Sequence, residues 1–138
     1  MLKPLKIGNL EAKLPIVQGG MGVGVSRSSL AGAVAKEGGI GVISAAQIGY
    51  DEPDWDTNQL EPHMRALDKH IKRAKEISDG GIIGVNIMAV TNHYEEYVKQ
   101  CIKSGADMII TGAGLPMELP QAAAGSDIKL VPIVSSKK

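Results

Sequence analysis

Apolar residues in this chain fall in short unbroken runs, separated by stretches with helical spacing. The runs lie at 14–17, 40–43, 82–87, 107–111 and 130–134. None alternates apolar with polar, as a strand wet on one face would. Continuous runs of this length predict strands buried on both faces, which means a parallel sheet covered by helices. Between them, Leu30, Ala31, Val34 and Ala35 share one helical face, and Leu67, Ile71, Ala74 and Ile77 share another. Tyr94, Tyr97, Val98, Cys101 and Ile102 form a third. A short helix is expected over about 115–124.

Punctuation supports these boundaries. Gly38-Gly39, Asp79-Gly80-Gly81 and Ser104-Gly105 stop the three longer helices. Ser26 or Ser28 is placed to cap the first, and Asn92 the third. Ahead of the first core strand, 5–7 and 10–12 flank Gly8-Asn9, a hairpin pattern. Pro15 opens that strand, a position that tolerates proline. Residues 45–60 fit neither helix nor core strand. This long loop holds Asp51, Pro53, Asp54, Trp55, Asp56 and Asn58, and long loops in compact domains are often functional. Trp55 is either a lid residue or an aromatic packed back on the body.

Repeated βα units admit two architectures. One is the N-terminal part of a TIM (β/α)8 barrel, which in full needs about 250 residues. The other is a flavodoxin-like doubly wound sheet. The hairpin before the first strand and the end of the chain directly after the fifth strand favour the barrel. The reading is one incomplete barrel domain over 1–138 with about five parallel strands, cut off part way through a longer protein. Strand order discriminates: sequential for the barrel, 2-1-3-4-5 for the doubly wound fold. Open parallel edges would invite self-association.

Composition narrows the function. The 138 residues carry 15 basic and 15 acidic side chains, so no basic footprint points to nucleic acid. No apolar run approaches membrane-spanning length and no secretory h-region opens the chain, so a cytoplasmic protein is expected. One cysteine, Cys101, precludes an internal disulfide or zinc cluster and reads as a small buried hydrophobe. His63, His70 and His93 match no metal spacing and are assigned to surface or structural roles.

In either architecture ligands bind beyond the C-terminal ends of the strands. Those ends are Gln18–Gly24, Ser44–Gln47, Asn86–Ala89, Thr111–Gly114 and Ser135–Lys137. They offer amides, hydroxyls and glycine backbone but few ionisable groups. Such a set suits a neutral heteroaromatic ring plus a phosphate better than a metal. Asn86 ends a buried strand and must find hydrogen-bond partners, either neighbouring loop backbone or a ring. The Gly-Gly-Met-Gly turn lets a ligand approach the main chain.

These motifs together resemble a known family. LPIVQGGMG, AVAKEGGIGVIS, GVNIMA, GADMIITGAGLP and KLVPIVSS, in that order, are similar to the nitronate monooxygenase (2-nitropropane dioxygenase-like) family. Its members are FMN enzymes with a TIM-barrel fold, related to the FMN-dependent enoyl-acyl-carrier-protein reductase. The resemblance implies FMN as cofactor, with an alkyl nitronate and O2 as substrates; the alternatives are enoyl-thioester reduction through FMN and a non-catalytic fragment or flavin-binding module. It places Gly20, Met21 and Gly22 along the flavin ring, Asn86 on it by hydrogen bond, and Thr111 and Gly112 in the same cavity. Ser44 is a weaker candidate. The family's catalytic-type histidine and its glycine loops for the FMN phosphate have no counterpart here, so no catalytic residue is assigned. Little or no turnover is expected of this chain alone.

Overall fold

A computed structural model describes residues 1–55 and 60–136. Asp56 and Asn58 of the expected long loop, and Lys137, lie outside the described residues. The order is β1 (Leu5–Ile7), β2 (Leu10–Ala12), α1 (Ser28–Lys36), β3 (Gly41–Ser44), α2 (Leu60–Ile77), β4 (Ile83–Met88), α3 (Tyr94–Ser104), β5 (Met108–Gly112), α4 (Leu119–Ala122) and β6 (Lys129–Pro132).

Strands β3, β4, β5 and β6 form a parallel sheet in sequential order. The segment 14–17, expected as a full strand, joins β3 through a single bridge, Val17 to Ile40. It therefore extends the same sequence of neighbours, which is the barrel order and not the doubly wound one. The physical reason for its brevity is Gln18. Its side-chain amide donates to Val42 O at 3.0 Å and accepts from Val42 N at 3.1 Å. One side chain thus completes the ladder where the main chain leaves it.

Register sorts the sheet's two faces. Ile43, Ile83, Val85, Ile87 and Ile109 face the helices and pack with Leu67, Ile71, Ala74, Val98 and Cys101. Each of the larger side chains is fully buried and contributes ~1.5–3 kcal/mol. The opposite face carries two rows. Val42, Gly84, Met108 and Lys129 are partners across the sheet, and above them Ser44, Asn86, Ile110 and Val131. Around the lower row, Ala12 is buried with Ile40, Val42 and Met108, and Leu5, Ile7 and Leu10 pack against this cluster. So the antiparallel β1–β2 hairpin closes the N-terminal end of this face and leaves the C-terminal end as the open one.

Three end signals differ from expectation. Neither serine caps α1: Arg27 is the N-cap residue and makes no side-chain cap bond. Ser26 is drawn instead into the glycine turn. Helix α3 begins after His93 in a left-handed conformation, not at Asn92. The expected helix over 115–124 forms only at α4, with Pro116 ahead of it and Pro120 in its first turn, where proline is tolerated. Among the described residues, no helix is long and apolar enough to cross a membrane.

Candidate functional site

The C-terminal rim is built on a clamped glycine turn. Ser26 Oγ accepts from Met21 N at 2.9 Å, and Ser26 N donates to Met21 O at 2.9 Å. Gln18 Nε2 donates to the same hydroxyl at 3.1 Å. Ser26 O accepts from Ser44 N at 2.9 Å, which ties the turn to the end of β3. The serine between turn and helix is therefore a brace, buried to 1% exposure.

This brace folds the turn back over the strand ends. A Cβ on Gly20 would sit 2.8 Å from Asn86 Cβ, and one on Gly22 would sit 2.9 Å from Ala46 Cβ and 3.3 Å from Ser44 Oγ. Both positions need glycine for close approach. Met21 lies between them with its side chain exposed and its N–H spent on Ser26. The N–H groups of Gly20 and Gly22 donate to no acceptor among the described residues.

Asn86 sits half-buried in the upper row of the inner face, paired in register with Ser44 and Ile110. Its backbone carbonyl accepts from Ala45 N at 3.0 Å. Its side-chain amide makes no hydrogen bond among the described residues, so the neighbouring loop backbone does not satisfy it. Two backbone donors and one amide, all uncommitted, therefore meet at one rim. That donor and acceptor set, with no charged group, matches the polar edge of a planar heteroaromatic ring.

Thr111 and Gly112 stand differently. Thr111 is fully buried, and its Oγ1 accepts from Tyr94 OH at 3.2 Å on the helix side of the sheet. Its hydroxyl is committed to α3, so only its backbone borders the rim. Gly112 is packed under Ile133, and its carbonyl accepts from Ala89 N at 2.8 Å. Ser44 Oγ accepts from Ala46 N at 3.4 Å. The structure thus brings Gly20, Met21, Gly22, Ser44 and Asn86 together, with the Thr111 and Gly112 main chain on β5, the strand next to that of Asn86.

The loop after β3 packs back on the body. Glu52 accepts from Arg65 at 3.1 Å and Lys69 at 2.6 Å, and Arg65 also pairs with Asp54. These cations hold both carboxyls below their usual range, through hydrogen bonds first. Arg27 binds Asp51 through both guanidinium nitrogens at 2.9 to 3.1 Å and lies over Tyr50. Trp55 meets His63 edge-on at 5.1 Å between centroids, so it is a packed aromatic.

His63 is buried to 6% exposure and is not a surface residue. Its Nδ1 accepts from Gly49 N at 2.8 Å. The helical spacing that marked Leu67, Ile71 and Ala74 extends back four residues to His63, which is the signal that places it on the inward face. Cys101 is fully buried, and desolvation raises its thiol well above the ordinary range.

A sequential parallel sheet, plugged at one end by a hairpin and carrying a polar rim at the other, is the first part of a β/α barrel. The model of the nitronate monooxygenase family matches residues 3–101, and the chain belongs to that family. Among solved structures, FabK from Thermotoga maritima is similar at 28% identity and a TM-score of 0.68, over 88% of this chain and 34% of that one. A single-substitution mutant of the same protein matches with the same identity and TM-score, over 36% of its length. This chain therefore spans about a third of those structures and corresponds to the N-terminal part of the barrel. No curated protein matches the sequence.

Proposed function

We propose that the rim formed by Gly20, Met21, Gly22 and Asn86 holds the ring of FMN in a flavin oxidoreductase of the nitronate monooxygenase type. The observation that carries this reading is the uncommitted Asn86 amide beside the Gly20 and Gly22 N–H groups. When bound, FMN would supply the electron chemistry, and the chain supplies binding and orientation. Gly20 and Gly22 would donate to ring acceptors, and Asn86 would donate and accept at the same edge. The main chain of Thr111 and Gly112 would bound the cavity on the β5 side. No side chain at the rim is assigned a proton-transfer role, since none there is ionisable.

The proposed substrates are an alkyl nitronate and O2. Similarity to FabK favours a second reading, reduction of an enoyl thioester with hydride from a nicotinamide cofactor passed through the flavin. Assaying nitronate plus O2 against NAD(P)H plus enoyl thioester separates the two. In both, the described strands are the first part of a (β/α)8 barrel.

Ring binding is tested with lumiflavin, which lacks the ribityl phosphate and so reports the ring contacts alone. Its fluorescence should be quenched on titration with the protein. Asn86→Ala should weaken binding about tenfold, the value of one well-placed hydrogen bond. Because Asn86 has no protein partner to lose, the thermal midpoint should stay within about 1 °C of wild type. Equal affinity of the two proteins for lumiflavin would remove Asn86, and with it this reading of the rim.

A further inference from the structure

We propose that the cleft between the β3–α2 and β4–α3 connections is a second small-molecule site, shaped for a ligand presenting a neutral carbonyl-type oxygen. It is a cavity of about 270 Å³ on the outer side of the rim. Its lining includes Ala46, Met88, Thr91, Asn92, His63 and Tyr97. The inference does not depend on flavin binding.

Two side chains carry it. His63 and Tyr97 are 6% and 5% exposed, and both line this cavity. Their rings are 6.2 Å apart. Gly49 N–H donates to His63 Nδ1, so the imidazole proton resides on Nε2. Neither Nε2–H nor the Tyr97 hydroxyl has a hydrogen-bond partner among the described residues. Yet among the described residues no side-chain nitrogen or oxygen sealed from solvent lacks one. Both atoms therefore keep contact with solvent, on residues that line the cleft. Two nearly buried side chains thus offer donors at one small space with no acceptor for them among the described residues, where water or a ligand oxygen can accept.

The chemistry of that acceptor follows from charge. Burial lowers the His63 pKa, which keeps the ring neutral. Burial pushes the Tyr97 hydroxyl up to about 12, which keeps its proton in place. Among the described residues no lysine or arginine lines the cleft, and Glu95 and Glu96 occupy the first turn of α3 beside it. A carboxylate or phosphate would meet donors without compensating charge. An amide or ketone oxygen takes two such hydrogen bonds at no charge cost, and Met88, Ala45 and Leu60 give its carbon skeleton an apolar wall. At ~30 Å³ per water-sized unit, the volume holds a ligand of a few heavy atoms.

Trp55 makes the test direct. It is the only tryptophan in the chain and lies edge-on to His63. Propionamide is the probe and propionate its charged counterpart. Propionamide should change Trp55 fluorescence saturably and shift the His63 Nε2–H resonance in ¹⁵N-edited NMR. Tyr97→Phe, which removes one oxygen and keeps the ring, should weaken propionamide about three- to tenfold. Propionate should bind more weakly than propionamide. No saturable change up to the solubility limit would overturn the site, as would equal affinity in Tyr97→Phe. Tighter binding of propionate would overturn the neutral-oxygen assignment. If Tyr97→Phe fails to fold, the His63 Nε2–H resonance of the unaltered protein decides: an unmoved signal sinks the proposal.

Discussion

Polar side chains at the α1–α2 junction have fixed protonation roles that make stability depend on pH. His70 Nε2 lies 3.1 Å from Arg27 Nη1, and a guanidinium can only donate. The ring proton is therefore on Nδ1, which donates to Ser28 Oγ at 3.0 Å. Burial, and then the Arg27 and Lys69 charges, lower the His70 pKa from 6.5 to about 4. The unfolded chain binds this proton more readily than the folded one. Stability is thus fully present above about pH 6.5 and declines as pH falls toward about 4. His63, lowered by burial, adds to the slope in the same direction. Glu52, held low by Lys69 and Arg65, and Asp54, held low by Arg65, add their loss as pH falls through the ordinary carboxylate range toward their lower folded values. Thermal midpoints followed by circular dichroism should therefore fall through the upper part of the window. His70→Gln, which has no proton to gain, should flatten that fall. An unchanged slope in the variant would show that His70 does not set it.

Elements meet here through glycine. Gly41 of β3 faces the backbone of Ala31, and a Cβ there would fall on the Ala31 carbonyl. Gly32 lets α1 approach Ile77 of α2, where a Cβ would stand 2.7 Å from Ile77 Cβ. Helix α1 is held between sheet and helix with no room for a methyl group on either side. Gly41→Ala should cost ~1–3 kcal/mol or more, as overpacking does. The urea midpoint should drop with the m-value unchanged. Gly19→Ala, with nothing within 4 Å of the added carbon, is the control and should leave the midpoint in place. This contact also explains what sequence could and could not reveal. The apolar runs located β3 to β6 within one or two residues, because burial on both faces leaves a continuous signal. The shortness of 14–17 was not legible, since it depends on a Gln18 side chain finding Val42 across 24 residues. Asn86 stood out as polar at the end of an apolar run. His63 and Tyr97 did not stand out as a pair, because their common cavity exists only once α2 and α3 lie side by side.

At the scale of the molecule, the outer strands of the described sheet set which backbone groups are offered beyond it. At the 14–17 edge, Leu14 N donates to Gly38 O, Gln18 N donates to Ile40 O, and Ile16 O accepts from Ile40 N. Leu14, Ile16 and Gln18 thus bond to Gly38 and Ile40 just ahead of β3, the Ile16 N–H closing back on Leu14 O, and Pro15 and Val17 turn outward. At the other edge, Lys129 N and Ile133 N donate to β5, so Leu130 and Pro132 turn outward. Each edge thus places a proline where a strand would offer a donor to an incoming chain. Leu14, Ile16, Val17, Ile133 and Val134 are exposed at these same edges, so apolar association remains open to the molecule. What the prolines remove is hydrogen-bonded strand addition, a known means of blunting an edge. Pro15→Val restores the outward N–H and adds a residue that favours strands. The variant should self-associate at lower concentration than the unaltered chain in static light scattering, with a gain in β signal as it does so. Pro15→Val with the same concentration dependence and no added β signal would mean that the exposed apolar side chains, and not strand pairing, govern its association.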